Sequence, residues 1–172
     1  YVVSKKVSAE AFLANIRKIS RDNARTPMQW DDSSNGGFTT AVKPWLLMNP
    51  NFKEVNAKQS LADPNSIYRY YRRMVELRKK TPALVYGDFK DIDPANAKVF
   101  AYTRILGGQG YLIVLNFSGE VLNYAIPAGL KAGRLVISNL GGAEENTGTL
   151  QMKTWEARVY KIAALPDATT MH

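Results

Sequence analysis

The sequence contains no cysteine. Disulfides, zinc–thiolate sites and thiol nucleophiles are excluded with it. A reducing compartment fits this absence without being required by it. Histidine is nearly as scarce, since the one imidazole belongs to His172, the last residue, which reads as tail. A Ser-His-Asp triad and a His-rich metal site therefore lack their central residue. No apolar run approaches the ~20 residues of a membrane-spanning helix. The opening Tyr1-Val2-Val3-Ser4-Lys5-Lys6 lacks the long apolar stretch of a signal peptide. An initiator methionine is also missing, as in a piece of a longer protein or a processed chain. No metal and no cofactor is expected, and no membrane.

What is present can build a core: 45% of the 172 residues are hydrophobic, well above a disordered composition. The net charge of +8 suggests a nucleic-acid partner until it is located. Residues 1–82 hold 15 Lys/Arg against 7 Asp/Glu, whereas residues 83–172 hold 8 of each. The densest run, Arg69, Arg72, Arg73, Arg78, Lys79 and Lys80, falls on one predicted helix. A solvated helix face is preferred there over a nucleic-acid face, and no nucleic-acid partner is expected.

The two halves differ in period. In the first, Ser8 caps a predicted helix through Glu10 that places Phe12, Leu13, Ile16 and Ile19 on one side. Pro27 ends it, with fraying expected from Ser20 to Asn23. A long irregular stretch follows, Asp31 to Ala62. Its aromatics, Phe38, Trp45 and Phe52, with Trp30 just before it, favour packing over a disordered linker. A second helix is predicted with Asp63 as N-cap and Pro64 at the first helical position. Its stripe is Ile67, Tyr70, Tyr71, Met74 and Leu77, and Arg72–Glu76 and Glu76–Lys80 are expected as i,i+4 pairs.

After Thr81-Pro82 the period becomes two. Seven strands are predicted: Val85–Phe89, Val99–Ile105, Tyr111–Phe117, Val121–Ala125, Arg134–Ser138, Leu150–Lys153 and Trp155–Ile162. The unbroken apolar run Tyr111 to Leu115 predicts a central strand buried on both faces. An antiparallel sandwich follows from these spacings. Trp155 is placed in its core, on the side of Ala157 and Val159. The alternative is that Trp155 and Tyr111 offer stacking faces to a sugar. Domain boundaries are expected at 1–82, 83–163 and a flexible tail, 164–172.

The acids are poor candidates for chemistry. Glycoside hydrolysis needs two carboxyl groups across the bond, one with a raised pKa. Asp31-Asp32 beside Ser33-Ser34-Asn35-Gly36-Gly37 reads as a pair of turn acids. Asp88, Asp91 and Asp93 lack the glycine and distal glutamate of a calcium loop. Gly107-Gly108-Gln109-Gly110 has no following Lys-Ser/Thr or helix, so it reads as a hairpin turn. There remain Arg21, Asp22, Asn23 and Arg25. A continuing helix would set both arginines on one face. From spacing alone, a polar helix end sealed by an Arg–Asp pair is preferred to a sugar site.

The wording of several blocks adds to this. "SRDNARTPMQWDDS", "GGFTT", "KPWLLMNPNFKEVN", "DPNSIYRYYRRMVELRK" and "YGDF" together resemble the oligo-1,6-glucosidase branch of the alpha-amylase superfamily, glycoside hydrolase family 13. That branch holds alpha-glucosidases, dextran glucosidases, sucrose isomerases and trehalose synthases. The resemblance runs from about residue 8 to 162. It implies a mixed fold: the helix-and-loop end of a (β/α)8 barrel, including its last helix at Ser66–Lys80, then an all-β antiparallel sandwich domain. It implies a retaining enzyme acting on short alpha-glucosides, an oligosaccharide or a disaccharide. By resemblance, Arg25 binds the non-reducing-end glucose. The family's nucleophile, acid/base and transition-state pair have no matching motif here, so no catalytic residue is assigned. The chain is too short for a barrel of ~250 residues, and alone it is expected to be inactive. The uncovered helix stripe calls for the remaining barrel segment or a second chain. A bacterial cytoplasmic location is implied, or a periplasmic one for a sucrose isomerase. The alternative is a stand-alone glucan-binding or structural module.

Overall fold

The computed structural model describes residues 7–142 and 148–163, leaving out the side chains of Asn23 and Ala163. The expected flexible tail, 164–172, lies outside the described residues. By contacts the chain divides into two compact units, 1–69 and 70–172.

In the first unit, α1 spans Ala9–Ile19, and Ser8 caps it by accepting a hydrogen bond from the Ala11 N–H. Its apolar stripe is in place, yet none of its residues is buried. The stretch predicted as irregular is more ordered than its glycines and prolines suggest. Short 3-10 turns form at Ser34–Gly37 and Pro50–Lys53, and α2 spans Ala57–Ala62. Asn56 starts α2, its Oδ1 accepting from the Gln59 N–H at 2.9 Å.

α3 spans Ile67–Lys80 and begins later than predicted. Asp63 instead closes α2 and turns the chain, its Oδ1 accepting from the Asn65 N–H at 2.8 Å. The Ser66 hydroxyl takes the capping role, accepting from the Arg69 N–H at 3.2 Å. Along α3 the Arg72–Glu76 pair forms at 3.1 Å, and among the described residues no ion pair joins Glu76 to Lys80. Two other cations of the run serve the backbone. Arg69 donates to the Leu61 carbonyl, and Arg78 to the Leu84 carbonyl at 2.7 Å.

In the second unit, residues 85 and 86, predicted as strand, belong to a short helix, α4, Pro82–Tyr86. Pro82 favours this helical turn, because its fixed φ suits the first helical position and its missing N–H would have had no intrahelical partner there. Among the described residues seven strands follow: β1 Asp88–Asp91, β2 Val99–Leu106, β3 Gln109–Asn116, β4 Leu122–Ala125, β5 Leu135–Ser138, β6 Thr149–Met152 and β7 Ala157–Ala163. Five form one antiparallel sheet, ordered β1-β2-β3-β7-β5, and β4 pairs with β6 in a second. Neither sheet closes into a barrel. Gly107 and Gly108, both at positive φ, make the two-residue turn that joins β2 to β3.

β3 lies at the centre and is buried on both faces, as its unbroken apolar run requires. On one face, Leu112 and Val114 meet Ala101, Tyr160 and Ile162, and pack with Tyr124, Leu150 and Met152 of the small sheet. On the other face, Tyr111, Ile113 and Val159 pack with Ala83 of α4. Tyr111 is thus core, not a stacking face. Trp155 reverses its expectation in the other direction. It sits before β7 at φ 55°, in the left-handed region, and is 61% exposed.

Candidate functional site

The arginine block lies where α1 ends. Ser20 turns extended, and its N–H still bonds the Ile16 carbonyl at 2.7 Å. A 3-10 turn over Asp22–Ala24 follows, with Arg21 entering it and Arg25 leaving it. The Ala24 N–H bonds the Arg21 carbonyl at 3.1 Å, and the Arg25 N–H bonds the Asp22 carbonyl at 3.0 Å. The two arginines therefore do not share a continuous helix face. Nor does an Arg–Asp pair seal the end: among the described residues, neither guanidinium is paired with Asp22. Backbone bonds close the turn and leave Arg25 exposed.

The next residues are fixed firmly. Pro27 is buried. The Trp30 N–H donates to the Gly36 carbonyl at 2.8 Å. Gln29 binds segment 51–58 through its side-chain amide, to Asn51 Oδ1 at 3.0 Å and the Val55 carbonyl at 2.5 Å. The carbonyls of Gln29 and Trp30 accept from the Ala57 and Lys58 N–H groups, each at 2.9 Å. Thr26, Met28, Trp30, Leu61 and Tyr68 border a largely apolar cleft of about 560 Å³ in the same unit. Trp30 is thus about half exposed, with its backbone locked.

The neighbouring acids behave as turn residues. Asp31 Oδ1 accepts from the Ser33 N–H at 2.9 Å and from its hydroxyl at 2.5 Å, and these bonds hold the carboxyl below its usual pKa. Asp32 is also lowered, by Lys58, whose ammonium lies 3.0 Å away. In the other unit, burial alone would raise Glu156, but bonds from Arg158 and the Lys153 N–H outweigh it and leave the carboxyl low. A general acid for glycoside cleavage needs a raised pKa, and none of these three has one. Asp91 and Asp93 are turn acceptors too, for the Asp93 N–H at 3.0 Å and the Asn96 amide at 2.9 Å. Among the described residues, no cluster of three or more His, Asp or Glu could hold a metal, and no helix is long and apolar enough to cross a membrane.

Sequence reasoning found the arginine block but missed the cleft beside it. Its lining comes from three separated segments, 26–30, 55–61 and Tyr68, which no local pattern joins. The one available signal was Gln29, a long amide between an apolar residue and a tryptophan.

Comparison with known proteins fits this layout. Residues 2–87 match the family described as alpha amylase, catalytic domain, and residues 99–159 match the alpha-amylase SusG C-terminal domain. An oligo-1,6-glucosidase of Halalkalibacterium halodurans is 43% identical over 157 residues, covering 90% of this chain and 28% of the relative. A glucan 1,6-alpha-glucosidase of Streptococcus pneumoniae is 42% identical over 142 residues, covering 83% and 26%. Among solved structures, an isomaltulose synthase mutant from Erwinia rhapontici NX5 with sucrose superposes with a TM-score of 0.81 at 44% identity, covering 95% of this chain and 30% of that one. The chain thus spans less than a third of the length of the proteins it matches.

Proposed function

Since the chain belongs to the alpha-amylase family, in the branch that holds oligo-1,6-glucosidases and sucrose isomerases, we propose that it is the C-terminal part of an alpha-glucosidase-type enzyme. Its substrates are short alpha-glucosides: isomalto-oligosaccharides, maltose or sucrose. Arg25 holds the non-reducing-end glucose. The observation that carries this reading is the fixed backbone turn that leaves the Arg25 guanidinium exposed, with no partner among the described residues.

In this reading the arginine positions and does not react. Its donors hold the glucose, or a carboxylate that grips the glucose, while a nucleophile and an acid/base from residues outside this chain do the chemistry. The reaction retains configuration: a carboxylate takes the glucosyl group, the acid protonates the leaving oxygen, and an acceptor then releases the sugar. Water as acceptor gives hydrolysis, and a retained sugar gives an isomer. Residues 1–82 form the end of the barrel and 83–163 the β domain. The remaining barrel segment covers the apolar faces left open here, α1 and the exposed Ile67 and Tyr71 of α3.

The test is Arg25→Ala and Arg25→Lys in the full-length parent. A fall in kcat/KM of at least 100-fold for Arg25→Ala, with an unchanged melting temperature, is expected. Undiminished turnover would sink the assignment. The 172-residue chain should not hydrolyse a chromogenic alpha-glucoside, and activity in it would overturn the division of labour.

A further inference from the structure

Trp155 carries a conformation that nothing in the fold's connectivity demands. A bulky residue at φ 55° is rare and costs free energy, and such outliers persist where the surroundings fix them. Here they do. The Trp155 N–H donates to the Ser118 carbonyl at 3.2 Å, and the Trp155 carbonyl accepts from Asn139 Nδ2 at 2.9 Å. Asn139 is itself anchored, its Oδ1 accepting from the Ala157 N–H at 2.9 Å. Behind them, buried Asn116 donates to the carbonyls of Glu120 and Lys153, both at 2.8 Å, and accepts from Ser118.

Three loops at one end of the β domain are thereby tied together: 117–121 after β3, 139–142 after β5, and 153–156 before β7. Each tie uses a side-chain amide or a backbone group, so the apolar side chains are spare. Trp155, Phe117, Val121 and Leu140 are all exposed. Next to them in the chain stand the polar residues Ser118, Asn139, Lys153 and Thr154. Had Trp155 continued β7 in extended form, it would have shared the inward side with Ala157 and Val159. The left-handed turn takes it out of that register.

The geometry points to a carbohydrate-binding surface on the β domain, separate from Arg25, with Trp155 as its stacking platform for an alpha-glucan segment longer than one sugar. A pyranose ring offers one apolar C–H face and a rim of hydroxyls. An exposed indole on a fixed backbone, with the Thr154 hydroxyl and the Lys153 ammonium next to it in the chain, matches that pattern. The exposed side chains spread over three loops, which suits a chain rather than a monosaccharide. The choice of glucan rests on the alpha-glucosidase reading above; the site itself does not.

The experiment uses the full chain in native gels cast with dextran or amylopectin, and fluorescence titration with isomaltoheptaose or maltoheptaose. A Trp30→Phe/Trp45→Phe background leaves Trp155 as the only indole. Retardation in at least one polymer and a saturable change in Trp155 emission are expected, while glucose at equal sugar concentration gives neither. Trp155→Gly accepts the left-handed backbone, so it keeps the fold while deleting the ring, and should weaken binding at least 10-fold. Trp155→Tyr should retain most of it. An unretarded wild-type chain in both gels, or equal retardation of Trp155→Gly, overturns the proposal. Loss of hydrolysis in an Arg25→Ala parent that still binds polymer through Trp155 supports both readings. Full hydrolysis in that mutant, with retardation still lost in Trp155→Gly, sinks the Arg25 role and leaves the surface site standing.

Discussion

Arg158 grips Glu156 through two parallel hydrogen bonds, Nε to Oε1 at 2.8 Å and Nη2 to Oε2 at 2.7 Å, with the Glu156 side chain wholly out of water. Glu156 also accepts from the Lys153 N–H at 2.8 Å, and Arg158 donates to the Gln151 carbonyl at 2.7 Å and to the Tyr160 hydroxyl at 3.3 Å. The pair ties β7 to β6 and to the turn that carries Trp155. Removing one partner strands the other charge. Glu156→Ala should therefore cost ~3–5 kcal/mol, read as a drop in the denaturant midpoint.

The same pair sets an acid dependence. The Glu156 carboxyl is held below its usual range in the folded state. Its contribution is thus complete above the unfolded value of about 4.3. It disappears as pH falls through the lower folded value. Stability measured from pH 6 down to pH 2 should decline more steeply in the wild type than in Glu156→Gln. Parallel curves would show that the pair does not govern acid unfolding.

Tyr124 presents the opposite case. Its hydroxyl is buried beside the Asp93 carboxylate but makes no well-aligned hydrogen bond among the described residues, and burial, then the nearby Asp93 and Asp91, push its pKa up to about 12. The unfolded phenol ionises near 10, so stability should fall as pH rises from about 10 to 12. Tyr124→Phe removes an unsatisfied polar group and should change stability at pH 7 by under ~0.5 kcal/mol, or raise it. It should also flatten the alkaline decline. A loss above ~1.5 kcal/mol at pH 7 would reveal a hydrogen bond after all.

Gly37 is needed for two reasons. Its φ is 68°, and an added Cβ would lie 2.8 Å from Asp31 Oδ1, the acceptor that holds Ser33. Gly37→Ala should cost at least the ~1–2 kcal/mol of a left-handed alanine. Gly119→Ala, in open space and without positive φ, is the control and should stay within ~0.5 kcal/mol. Thermal melts of the two variants check the contrast.

The uncovered apolar surface makes a simple prediction about the isolated chain. Trp45 is fully exposed, Ile67 is 88% exposed, and α1 buries none of its stripe. On the proposal that the chain is the C-terminal part of a longer enzyme, an environment-sensitive dye such as ANS should bind the 172-residue chain several-fold more brightly than the full-length parent at equal molarity. Equal signals would mean that these faces stay open in the parent as well.

The sequence was most legible where one physical signal acted alone. The run from Tyr111 to Leu115 had no polar break, so a doubly buried central strand was the only use for it. Ser8 before an apolar stripe marked a helix start for the same reason. Reading failed where one residue type serves two ends. Asp63-Pro64 looked like a helix start, but Asp63 makes an Asx-type turn after α2 and Ser66 does the capping. Val85 and Tyr86 have strand propensity, yet Pro82 starts a helical turn through them. Trp155 was illegible because a left-handed backbone leaves no mark on a residue other than glycine. The cleft beside Trp30 was hidden because its walls meet only after folding.

The division of the chain at Arg69 and Tyr70 bears on how such proteins can be recombined. Tyr70, Met74 and Arg78 of α3 border a cleft of about 500 Å³ together with Phe100, Tyr102 and Ile113 of the large sheet. By sequence α3 falls within the catalytic-domain match, which extends to residue 87. By contacts its last three turns go with the strands. A chimera of two homologues joined at the first strand would give the helix one parent and its sheet another. Joining at the Asp63–Ser66 turn keeps the helix with the surface it faces, and that turn is the natural seam for exchange.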